Sequence, residues 1–212
     1  MDTLFFVLEL IGTAAFSVAG ALAAIGKRLD IFGVLVCSAT TALGGGILRD
    51  VLLANLPPAM FRDYSYLITA AAVSLVTFLV ARILKTRFSD SVPVIESVNN
   101  VADAIGLGIF TVVGINTAVK AGYADNAFFV IFLGTVTGVG GGMLRDVTIN
   151  EIPMIFAKRI YAVASLVGGL VYYLMFVTFS LPSMLCVPVA LVTVFLLRIL
   201  ASVFRWDLPK AI

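Results

Sequence analysis

Stretches of about 20 predominantly apolar residues, the length of helix that crosses a bilayer's hydrocarbon core, recur along the whole chain. Seven are read, at residues 4–26, 31–53, 64–84, 98–121, 127–149, 159–179 and 184–204. A backbone in lipid must satisfy its polar groups internally, so runs of this kind fold as a bundle of helices. The expected fold class is all-α integral membrane, with seven transmembrane helices in one transmembrane domain over residues 1–212. Composition agrees, because only 12% of residues are charged and 61% are hydrophobic. A soluble domain carries roughly 25% charge, enough to coat its surface. The first apolar run is too long for a signal peptide and no basic residue precedes Lys27. It reads as a first transmembrane helix that stays.

The chain has no histidine. That excludes a Ser-His-Asp triad, a Cys-His nucleophile and His-ligated zinc or haem. Cys37 and Cys186 lie far apart in apolar runs and read as packing residues. A net charge of +2 gives no reason to expect a nucleic-acid partner. Gly106-Leu107-Gly108 opens no dinucleotide-binding unit, and neither glycine run ends in Gly-Lys-Ser/Thr. The expectation is no enzyme, no cofactor and no metal site.

Lysine and arginine set the orientation, because cytoplasmic loops carry the excess of both. With the N-terminus outside, Lys27, Arg28, Arg82, Lys85, Arg87, Arg145, Lys158, Arg159, Arg198, Arg205 and Lys210 fall inside. Only Arg49, Arg62 and Lys120 fall outside. The predicted topology is N-out and C-in, with the cell (inner) membrane of a prokaryote as the location.

The chain also repeats itself. Ile11–Gly20 aligns with Ile105–Gly114 at an offset of 94, which matches Glu9 to Asp103. Gly44–Val51 aligns with Gly140–Val147 at an offset of 96, which matches Pro57 to Pro153. Repeat one covers about 4–88, repeat two about 97–180, and helix seven, 184–204, is appended. Each repeat holds three spans, so the second enters from the opposite side and the two form an inverted pair. Such pairs place ion or substrate pathways at their interface, near interrupted helices.

The repeated motif is a glycine triplet followed by Arg-Asp: Gly44, Gly45 and Gly46 before Arg49 and Asp50, and Gly140, Gly141 and Gly142 before Arg145 and Asp146. Three glycines cost a helix about 3 kcal/mol relative to alanine. Either the triplets break spans two and five, freeing backbone groups to line a water-filled path, or they let helices pack closely. Their duplication at matched positions favours the pathway. Neighbouring helical residues point about 100° apart, so Arg and Asp of one motif are expected to need other partners. The repeat supplies Glu9 for Arg49 and Asp103 for Arg145. Charged groups inside spans either face the bundle interior or a cavity, or snorkel to the interface in a structural salt bridge. Ser17 and Thr111, also matched, either line an aqueous path or bond back to their own helix.

The paired Gly-Gly-Gly-x-x-Arg-Asp motifs, each in a three-helix repeat and followed by proline, resemble the prokaryotic branch of the trimeric intracellular cation (TRIC) channel family. The chain is similar also to small bacterial membrane proteins whose paired domains are classed as glycine transporters. The likeness covers about residues 4 to 204. It implies a homotrimer in which each protomer has its own hourglass pore for potassium and sodium ions. Spans two and five, kinked at Gly44–Gly46 and Gly140–Gly142, would line that pore. Glu9 stands where many relatives carry Asp, which preserves the charge. The lysine-rich lipid-binding segment and basic tail of animal members are not evident, so the resemblance does not carry over lipid or calcium regulation. The function expected is a potassium-preferring channel, with the lipid bilayer and two sister subunits as surroundings. The alternative is a carrier for glycine or another small zwitterion, whose carboxylate and ammonium suit the amide and carbonyl ends of broken helices.

Overall fold

A computed structural model describes residues 3–84, 92–157, 160–204 and 206. Nine α-helical segments lie among them: α1 (Thr3–Gly26), α2 (Ile31–Leu52), α3 (Ala59–Arg62), α4 (Ser65–Ile83), α5 (Val92–Ala118), α6 (Ala127–Thr148), α7 (Met154–Ala157), α8 (Ala162–Tyr173) and α9 (Ser183–Val203). Helix α5 continues as a π-helical turn over Val119–Tyr123, and α8 as another over Leu174–Thr178. Six described helices have the length and apolar composition to cross a membrane, and Ala162–Thr178 forms a shorter apolar seventh. Of the orientation residues, Lys85, Arg87, Lys158, Arg159, Arg205 and Lys210 lie outside the described residues.

Matched local chemistry starts and stops the matched helices. The Asp30 carboxylate accepts the Gly33 amide at 2.7 Å to cap α2, and Asn126 accepts the Phe129 amide at 3.0 Å to cap α6. Each side chain supplies a partner for an amide that the first turn leaves without one. Past the far ends, Ala54 (φ 53°) and Asn150 (φ 56°) take the left-handed conformation that turns the chain out of the helix. The short helices α3 and α7 then each start directly after a proline, Pro58 and Pro153.

Helices α1, α2, α5 and α6 form the centre. Helix α4 packs on α1 and α2, as α8 packs on α5 and α6, while α9 lies against α5 and α8. Small residues allow the close approaches. A Cβ at Gly20 would meet Ser38 Cα at 2.8 Å, and one at Gly114 would meet Gly134 Cα at the same distance. Gly168 sits against Val194 of α9. Phe16 and Phe110 stack at 5.4 Å between the halves. Cys37 and Cys186 are both buried and unbridged.

The glycine triplets correct the sequence expectation. Helices α2 and α6 run without interruption through Gly44–Gly46 and Gly140–Gly142. Their propensity cost is offset by tertiary contact: the two helices cross backbone to backbone at these residues. A Cβ on Gly45 would collide with the carbonyl oxygen of Thr137, and one on Gly141 with that of Thr41. Gly44 faces Leu144 (2.6 Å) as Gly140 faces Leu48 (2.8 Å).

Candidate functional site

Beyond the crossing on each side lies one Arg-Asp motif. Arg49 Nη1 donates to Glu9 at 3.0 Å, and Arg145 Nη1 donates to Asp103 at 2.9 Å, the pairing that the repeat alignment suggested. The adjacent acids are partners too. Arg49 Nε lies 2.8 Å from Asp50 and Arg145 Nε 2.9 Å from Asp146. This overturns the expectation that neighbours on a helix would point apart, because the guanidinium stem is long enough to curl back while its other edge reaches α1 or α5. Each buried arginine therefore meets two buried carboxylates. Each cluster keeps a surplus negative charge, so neither arginine stands as a bare cation.

The remaining aspartate oxygens hold the loops. Asp50 Oδ2 accepts the Ala59 amide at 2.8 Å and Asp146 Oδ2 accepts the Met154 amide at 2.9 Å, which anchors the starts of α3 and α7. Tyrosines complete both clusters. The Tyr66 hydroxyl donates to Glu9 Oε2, and the Tyr161 hydroxyl lies 3.4 Å from Asp103 Oδ1. The sequence reading missed this pair, although Tyr66 and Tyr161 sit at an offset of 95 and were visible to the same alignment.

The clusters differ in what surrounds them. Around Glu9, Arg49 and Gly46 lies a small cavity of about 30 Å³, and a Cβ at Gly46 would touch nothing within 4 Å. Near the second cluster lies a cavity of about 610 Å³ lined by Lys27, Glu96, Asn99, Arg145, Asp146 and Arg198, among others. Tyr161 closes on Gly142 there, with its hydroxyl 2.7 Å from where a Cβ would stand. Arg198 of α9 lies with Cζ 5.0 Å from the centre of the Tyr161 ring and is itself buried. Sequence reading counted Arg198 only for orientation, because helix seven has no counterpart in the repeat. Lys27 and Glu151 form an ion pair of 2.7 Å at the rim, joining the α1–α2 turn to the segment after α6.

Ser17 and Thr111 take the second of their two alternatives. Ser17 Oγ donates to Thr13 O at 2.6 Å. Thr111 Oγ1 lies 2.7 Å from Leu107 O of its own helix and 2.7 Å from Ser165 Oγ. Both are wholly buried and border neither cavity.

Two buried arginine–carboxylate clusters facing each other across a helix crossing, in a bundle of apolar helices, define a polytopic membrane protein with a polar interior. The sequence profile described as Glycine transporter matches residues 6–82 and 100–177. The chain belongs to that family. It is 37% identical over 201 residues to the UPF0126 inner membrane protein YadS of Escherichia coli K12, covering 95% of this chain and 92% of the relative. A prokaryotic TRIC channel crystallised in 0.5 M KCl superposes with a TM-score of 0.86 at 34% identity, covering 98% of this chain and all of the other. A structure solved for the basis of conductance through TRIC cation channels gives 0.83 at 37% identity, over 98% and 97% of the two chains. The resemblance to prokaryotic TRIC channels thus extends over nearly the whole chain.

Proposed function

We propose that the chain is a homotrimeric, potassium-preferring monovalent cation channel of a prokaryotic cell membrane. Each protomer carries one hourglass pore between two inverted three-helix repeats, with the N-terminus outside and the C-terminus inside. The observation that carries this reading is the pair of cavities beside the α2–α6 crossing, each bordered by a cluster with surplus negative charge. The reciprocal contacts of Gly45 with Thr137 and Gly141 with Thr41 support the two-fold relation between the halves. Likeness to solved TRIC cation channels at 34–37% identity supports conduction as the activity.

Physically, carboxylates at a mouth raise the local cation concentration. A pore conducts when its sites bind strongly enough to be entered and weakly enough to be left. Neutralised arginines remove the repulsion that a bare guanidinium would impose on a passing ion. The constriction is assigned to the two flanks of the crossing, at Gly46 and at Gly142 with Tyr161 against it, because the opposite helix fills the space at Gly44, Gly45, Gly140 and Gly141. A carrier for glycine or a similar zwitterion is the second reading, favoured by the family's description. Proteoliposomes separate the two. Uptake of labelled rubidium driven by a potassium gradient supports the channel, whereas glycine counterflow without rubidium uptake supports the carrier.

A further inference from the structure

We propose that α5 carries a monovalent cation site at the inner end of the larger cavity, formed by Asn99 Oδ1 and Asp103 Oδ2. The proposal deepens the cation-pathway reading and rests on it for its role. Four buried side-chain atoms among the described residues have no hydrogen-bond partner: Asn99 Oδ1, Asp103 Oδ2, Tyr172 OH and Arg198 Nε. Two of the four are acceptors on one helix, four residues apart. Residues at that spacing are neighbours on one helix face, so the two oxygens fall to the same side of α5. Neither can donate to the other.

The rest of Asp103 is accounted for. Its Oδ1 takes Arg145 at 2.9 Å and Tyr161 at 3.4 Å, and the residue is wholly buried. A buried carboxylate oxygen with no donor is a costly arrangement, since a buried polar atom that loses its partner forfeits its solvation outright. A cation removes that cost. Asn99 lines the cavity, and Asp103, wholly buried, lies one turn further along α5. Glu96, one turn nearer the mouth on the same helix, extends the row of oxygens. The lining itself is balanced, with Glu96, Asp146 and Glu151 against Lys27, Arg145 and Arg198, and the buried Asp103 adds the one surplus negative charge.

The charge of the guest follows from the ligands. Among the described residues no group of three or more Asp, Glu or Cys side chains could hold a metal ion, whereas divalent sites gather several carboxylates around six or more oxygens. One carboxylate oxygen plus one amide oxygen, with water from the cavity, suits potassium or sodium. The first repeat lacks the site. Both Glu9 oxygens are taken, by Arg49 and Tyr66, and Phe5 occupies the register position of Asn99.

The direct test is crystallography of the full chain in thallium(I) nitrate, with thallium standing in for potassium. The expected result is an anomalous peak in contact with Asn99 Oδ1 and Asp103 Oδ2. In parallel, thermal unfolding is followed while potassium chloride replaces N-methylglucamine chloride at fixed ionic strength. Bound ligand raises the transition with saturation. Asn99→Leu should weaken the apparent potassium affinity by about tenfold or more, equivalent to 1.4 kcal/mol. Asn99→Asp, which keeps an oxygen at the site, should retain the shift and move it to lower potassium. Absence of the peak, an Asn99 amide nitrogen donating to Asp103, or equal potassium shifts in all three proteins would overturn the site. A thallium peak in a protein that passes no current would keep the site and sink the channel reading. Currents with no peak would do the reverse.

Discussion

At the residue scale, the energetics concentrate in two guanidinium groups. Arg145 is 1% exposed and satisfies one oxygen each of Asp103 and Asp146. Removing one partner of a buried ion pair leaves an uncompensated charge, at about 3–5 kcal/mol. Asp103→Asn should lower the thermal stability of purified protein by that order, and Asp103→Asn/Arg145→Gln should recover part of the loss. Strictly additive losses in the cycle would show that the two side chains are not coupled. The tyrosines give an asymmetric pair of tests. Tyr66→Phe leaves Glu9 Oε2 without its donor and should cost about 1–3 kcal/mol. Tyr161→Phe removes only a 3.4 Å contact and should cost less. Unfolding midpoints of the two variants, measured side by side, check the order. The ion-pair partners were legible in the sequence because Glu9 and Asp103 share a register. The neighbouring Asp50 and Asp146 contacts were not, because helix geometry places Cβ atoms but not the end of a long flexible side chain.

At the scale of the elements, the question is what the glycine triplets do. Propensity alone reads three glycines as a break. The missing term was the packing of α2 on α6, which no single-helix argument contains. Substitutions now divide by position. Gly45→Ala and Gly141→Ala push a methyl into the carbonyl of the opposite helix, and overpacking of this kind costs about 1–3 kcal/mol. Leucine at either position should disrupt the crossing itself, not merely plug a path. Gly46→Ala meets open space and should be neutral or stabilising by up to about 1 kcal/mol, through helix propensity. Thermal unfolding of the three alanine variants decides this, and equal losses at all three would mean the helices do not cross as described. The seven apolar spans were readable, as six long helices and a shorter one, because hydropathy over 20 residues is a strong signal. The short helices α3 and α7 and the π-helical ends of α5 and α8 were not, since each is a few residues long and set by neighbours.

At the scale of the whole molecule, an odd number of spans per repeat demands opposite entry for the halves. A topology reporter after Arg87 should be cytoplasmic and one after Leu181 external, in line with the excess of Lys and Arg on one side. Both on one side would end the inverted arrangement. Exposed apolar side chains such as Phe32, Phe128 and Met184 face outward from the chain, as contact with lipid requires. The central claim is that ions pass through each protomer between the two clusters. Unitary currents of the purified protein in a planar bilayer, recorded under a potassium chloride gradient, test it most directly. The account predicts discrete openings whose reversal potential lies toward that of potassium. Silent bilayers from well-folded protein, or reversal toward chloride, would contradict it.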